Sequence, residues 1–82
     1  MSLDKTTAHI VAEINQTASQ YKSSIVIITD HKMIDAKSIP GLTYSILSSS
    51  SFKLEIHGPD EEKAKLAMAS VLWKQSLPVG VV

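Results

Sequence analysis

Ala36-Lys37-Ser38-Ile39-Pro40-Gly41-Leu42 follows a short apolar strand and opens a helix. Ser38 stands at the N-cap, where a serine oxygen accepts from the orphan amides of the first turn. Pro40 falls in that turn, where a missing N–H costs nothing. Gly41 inside so short a helix reads as a mild penalty, roughly 1 kcal/mol against Ala. The same amides and the helix dipole also favour a phosphate on the Ser38 hydroxyl. Ser38 is therefore either a structural cap or a regulatory switch, and local chemistry alone favours the cap.

The helix opened by Ser38 runs from Ile39 to Leu47, with Ile39, Leu42 and Ile46 as its buried stripe. Before it, β-branched Ser24 to Thr29 reads as a strand, Asp30-His31 as a tight turn and Lys32 to Asp35 as the partner strand. In that place His31 reads as a turn residue rather than a ligand. After it, Ser48 to Ser51 reads as a connector. Phe52, Leu54 and Ile56 alternate with Lys53 and Glu55, the pattern of a half-buried strand that Gly58-Pro59 breaks. Asp60 is placed to cap a final helix, with Glu61 and Glu62 in its first turn to match the dipole. Its inner stripe is Ala64, Met68, Val71 and Leu72, leaving Leu66 and Trp73 off the stripe. The first helix, Thr6 to Tyr21, puts Val11, Ile14, Ala18 and Tyr21 on one face, with Thr6 or Thr7 as its cap. The order α-β-β-α-β-α predicts an α+β fold, one antiparallel sheet with helices on one face.

The chain has 82 residues, enough for one domain spanning 1–82. A domain of this size buries only about 60% of its unfolded surface, so its core is lean. Apolar residues make up 44% of it, too many for disorder. There is no Cys, which excludes a disulfide framework, a thiolate metal site and thiol catalysis and fits a cytoplasmic location. Eight Lys balance eight acidic residues and no Arg is present. The zero net charge argues against nucleic acid as a partner, and no guanidinium is available to clamp a phosphate in cis. No apolar run reaches the length of a membrane span. Met1 to Asp4 carry no signal-peptide pattern, and residues 1–5 read as partly a cloning remnant. Paired catalytic carboxylates, a nucleophile with its base and a Gly-rich phosphate loop are missing, so no enzyme, cofactor or metal is expected. His57 has no partner at metal-ligand spacing.

The element order and several strings resemble HPr, the histidine-containing phosphocarrier of the bacterial sugar phosphotransferase system. These are Gln16-Thr17-Ala18-Ser19, the strand-turn-strand through Lys32, Ala36 to Leu42, and Gly58 with Asp60-Glu61. The spacing fits without a gap from Thr7 to about Leu47, one residue is missing within Ser48 to Ser51, and the resemblance covers roughly Thr7 to Gln75. It implies an open-faced sandwich and a regulatory role in carbon catabolite repression. It makes Ser38 a phosphosite for an HPr kinase/phosphorylase-type enzyme, and Lys37, Ile39, Pro40 and Thr43 the surface that docks on partners such as a transcriptional regulator of catabolite control. Pro40 and Thr43 stand where that family commonly has methionines, which fill grooves more adaptably.

The phosphocarrier motif Gly-x-His-Ala-Arg-Pro-Ala falls on Lys5-Thr6-Thr7-Ala8-His9-Ile10-Val11. Thr7 takes the histidine position, His9 the arginine position and Ile10 the proline position. A threonine phosphoester is too inert for phosphorelay. His9, two residues on, is turned by about 200° on a helix and reads as a surface residue, with a displaced phosphoacceptor as the alternative. The resemblance also implies an edge strand before Thr7, where Met1 to Lys5 make a poor one. Phe52 to Ile56 would then lie at the sheet edge. Three outcomes follow for that edge: self-association, filling by the apolar tail at 76–82, or protection by Lys53 and Glu55. The functional expectation is a non-catalytic HPr-like regulator without phosphorelay. The alternatives are a degenerate HPr-like interaction module and a phosphocarrier using His9.

Overall fold

Alternation in two strands sets the core. A computed structural model describes residues 5–30, 32–48, 51–75, 77 and 79–81. In β1 (Ser24–Ile28) and β3 (Phe52–His57) every second side chain turns inward. These strands run antiparallel, with Ile25 opposite Ile56 and Ile27 opposite Leu54. β2 (Met33–Asp35) pairs with the other side of β1, Ile34 opposite Ile27. The inward residues are all buried, while Lys53 and His57 face away.

The helices α1 (Lys5–Ser19), α2 (Ile39–Ser48) and α3 (Glu61–Lys74) supply the other half of the core. Val11, Ile14 and Ala18 of α1, Leu42 of α2 and Ala64, Met68 and Leu72 of α3 join one cluster with the strands. Tyr21, Ile46 and Val71 pack against it partly buried. Leu66 and Trp73 are exposed, as their places off the α3 stripe require. This is the expected α+β open-faced sandwich.

Five expectations are corrected. First, the sheet is mixed. β4 (Val79–Val81) lies parallel to β3, with Phe52 opposite Val79 and Leu54 opposite Val81, in the order β2-β1-β3-β4. A parallel pair needs a long crossover, and α3 provides it. The apolar tail thus fills the edge of β3 along Phe52–Leu54, and Leu77 and Val79 pack against the core. Second, α1 begins at Lys5, so Thr6 and Thr7 lie within the helix and do not cap it. Third, Ile39 is 54% exposed. At the start of α2 it points away from the sheet, and buried Ser45 takes the inward place instead, its hydroxyl donating to Gly41 O at 3.0 Å.

Fourth, Gly41 is a packing requirement rather than a mild penalty. A Cβ there would sit 2.6 Å from Ile34 Cγ2, because α2 crosses β2 at close range. Fifth, the Asp60 side chain does not cap α3. Its carboxylate accepts from Lys22 N (3.0 Å), Ser23 N (3.0 Å) and Ser23 Oγ (2.5 Å). Gly58, at φ +151°, allows the approach, since a Cβ there would lie 2.6 Å from Ser23 Cα. His31 of the expected turn, Ser49 and Ser50 of the connector, Pro78, and Met1 to Asp4 with the expected first strand lie outside the described residues.

Candidate functional site

The turn from Asp35 to Ser38 fixes where the site's side chains stand. Asp35 Oδ1 accepts from Lys37 N at 2.8 Å, an Asx turn. Asp35 O accepts from Ser38 N at 3.0 Å. Asn15 of α1 reaches Ala36 O in a long contact of 3.5 Å. The turn is thus tied at its backbone before α2 begins.

Ser38 is the N-cap of α2. Gly41 N donates to its Oγ at 3.3 Å, and Leu42 N donates to its carbonyl at 3.0 Å, the first bond of the helix. The capping bond goes to the third helical amide, as an N-cap serine should do. Ser38 is half-buried, so its hydroxyl is both engaged and reachable.

Around it the surface is apolar with basic flanks. Ile39, Pro40, Tyr44 and Leu47 are exposed on α2, and the helix sequence IPGLTYSILS contains no charge. Thr43 is half-buried, its hydroxyl donating to Ile39 O at 2.9 Å. Lys32 Nζ lies 4.8 Å from the centre of the Tyr44 ring, a cation–π contact. Lys37 is exposed and its Nζ donates to Tyr21 O at 2.8 Å, just past the end of α1. Of the residues expected at the docking surface, Lys37, Ile39 and Pro40 are exposed and Ser38 and Thr43 half-buried. Sequence reasoning missed Tyr44 and Leu47 beside them. The helical spacing Pro40-Tyr44-Leu47 was the available signal for a second apolar face.

Thr7 and His9 lie elsewhere, on the opening turns of α1. Thr7 is half-buried inside a continuous helix. The resemblance puts a loop at this position, whereas Thr7 here lies in α1. His9 is exposed and its Nε2 lies 3.6 Å from Glu13 Oε1. Lys74 Nζ lies 3.6 Å from the same oxygen, and Gln75 Nε2 donates to the other. Among the described residues no group of three or more His, Cys, Asp or Glu is placed to hold a metal, and no helix is long and apolar enough to cross a membrane.

The open-faced sandwich is the fold shared with histidine-containing phosphocarrier proteins. The family profile described as the PTS HPr component phosphorylation site matches residues 5–73, and the chain belongs to the PTS HPr family. Its proteins are phosphocarriers rather than enzymes. The HPr dimer of Thermoanaerobacter tengcongensis is similar at 32% identity, over 95% of this chain and 93% of that one, with a TM-score of 0.70. The catabolite repression protein Crh of Bacillus subtilis, a swapped, intertwined dimer, is similar at 28% identity, over 82% and 78%, with a TM-score of 0.71. The mycoplasma histidine-containing phosphocarrier shares the fold at 19% identity, over 92% and 82%, with a TM-score of 0.71. No curated protein sequence matches significantly.

Proposed function

We propose that this protein is a cytoplasmic regulatory member of the HPr family that does not relay phosphate through a histidine. Phosphorylation of Ser38 by an HPr kinase/phosphorylase-type enzyme is its switch, and a regulator of catabolite control reads it. The observation that carries this is the contrast between two positions. Thr7, which the resemblance puts at the phosphocarrier position, lies inside α1, whereas Ser38 keeps a reachable hydroxyl beside an exposed apolar face. A phosphate on Ser38 adds charge of about −2 at a helix start that tolerates it, and changes the docking surface without unfolding it.

The test compares native protein with Ser38→Ala, each incubated with the kinase and ATP. Acid-stable phosphate on the native chain alone is expected. Incubation with the general phosphotransferase enzyme is expected to leave no acid-labile phosphate, and its appearance on His9 would restore phosphorelay. A second reading, an HPr-like interaction module without phosphorylation, is favoured by the exposed Leu66 and Trp73 of α3. It predicts no phosphate on Ser38 and an oligomer or bound protein in its place.

A further inference from the structure

We propose that Lys37 is the counter-charge for a phosphate on Ser38, and that it leaves the end of α1 to reach it. This rests on the reading of Ser38 as the phosphosite. A helix start ordinarily offers an anion the amides of its first three residues. In α2 those residues are Ile39, Pro40 and Gly41. Pro40 has no N–H. The Gly41 N–H is directed at Ser38 Oγ, which becomes the ester oxygen. Of the three, at most the Ile39 amide is left to the phosphate oxygens, and the cradle lies beside the Asp35 carboxylate, which faces the same turn.

Lys32, Lys37 and Lys22, the residue after Tyr21, are the lysines to weigh as counter-charges, and Lys22 is exposed. Lys32 is held over the Tyr44 ring. Lys37 is adjacent to Ser38 in the chain, its backbone N–H fixed by Asp35 while its side chain is exposed. Its present acceptor, Tyr21 O, is a neutral carbonyl. An ammonium bonds a phosphate dianion more strongly than a neutral oxygen. Phosphorylation thus draws Lys37 off Tyr21 O. The next two amides in the chain, Lys22 and Ser23, are the ones that hold Asp60, so the change is reported at the junction of α1 with β1.

The experiment installs phosphoserine at position 38 during translation, so that no kinase is needed. It is done in the native sequence, Lys37→Gln, Lys37→Arg and Lys32→Gln. Phosphorus NMR titration reads the second phosphate pKa, which for a solvated phosphoserine is near 6. The native, Lys37→Arg and Lys32→Gln proteins are expected to titrate roughly half a unit below Lys37→Gln, a modest shift because the site is exposed. In the nitrogen–proton spectrum the Lys22 amide is expected to move on phosphorylation in the native protein. In Lys37→Gln it should already be displaced and then respond little. Equal phosphate pKa values with and without Lys37, or a Lys22 amide that ignores the phosphate in the native protein, would overturn the assignment. A kinase that fails to modify Ser38 overturns the proposed function instead and leaves this measurement intact.

Discussion

Ser38 has a structural duty whether or not it is phosphorylated. Its Oγ accepts from Gly41 N, so Ser38→Ala is expected to lower stability by roughly 1 kcal/mol, the ordinary cost of a lost N-cap, as read from urea midpoints. Ser38→Asp keeps an acceptor there and should recover most of it. Asp60 is the second residue whose chemistry is set locally. The Ser23 hydroxyl first, then the Lys22 amide, hold its carboxyl at about 2, below the ordinary 3.8. A depressed carboxyl stabilises the fold above its unfolded value and loses that contribution as it protonates. Stability is therefore expected to decline as the pH falls from about 4 towards 2, and Asp60→Asn to flatten that decline in a series of denaturation midpoints. Its partner was not legible in the sequence. Asp before Glu-Glu announces a helix cap by local pattern, and nothing local reveals an amide pair 37 and 38 residues away.

The elements were legible wherever a period reached into the core. Phe52-Leu54-Ile56 and Ala64-Met68-Leu72 are buried as their spacing requires. Ile39 was misplaced because a ten-residue helix with apolar residues on both faces has no unique inward stripe. The docking surface implied by the resemblance had already required it to face outward. Two leucines of α3 test the assignment directly. Leu72 is 1% exposed and Leu66 is 76% exposed. Leu72→Ala is expected to cost about 2–5 kcal/mol, and Leu66→Ala to stay within about 0.5 kcal/mol. Gly58 ties two elements together at φ +151° against Ser23. Gly58→Ala is expected to cost about 1–3 kcal/mol from backbone strain, before any adjustment to the contact with Ser23 Cα. Near-native stability of that variant would show that the β3–α3 turn relaxes freely.

For the molecule as a whole, the parallel strand was the least legible feature. Leu77 to Val82 read as an apolar tail that was one of three candidates for the open edge, because a three-residue strand carries almost no pattern and Pro78 argues merely that the helix stops. What placed it was the unmet edge of β3, a property of the sheet rather than of the tail. The Cα radius of gyration, 11.6 Å, is close to the value of about 12 Å for a compact chain of this length. β4 lies against the body of the domain because it pairs with β3. It covers Phe52, Lys53 and Leu54 along the strand edge and brings Leu77 and Val79 against the core. Removing residues 76–82 should have two linked effects. The transition midpoint in urea should fall, because Leu77 and Val79 no longer shield a lean core. The bared edge of β3 should also pair with another chain, so that sedimentation velocity shows mass rising with concentration in the truncated protein more than in the intact one. A truncated chain with an unchanged midpoint and one concentration-independent species would mean that β4 neither seals the edge nor completes the core, and that Lys53 and Glu55 protect the strand by charge alone.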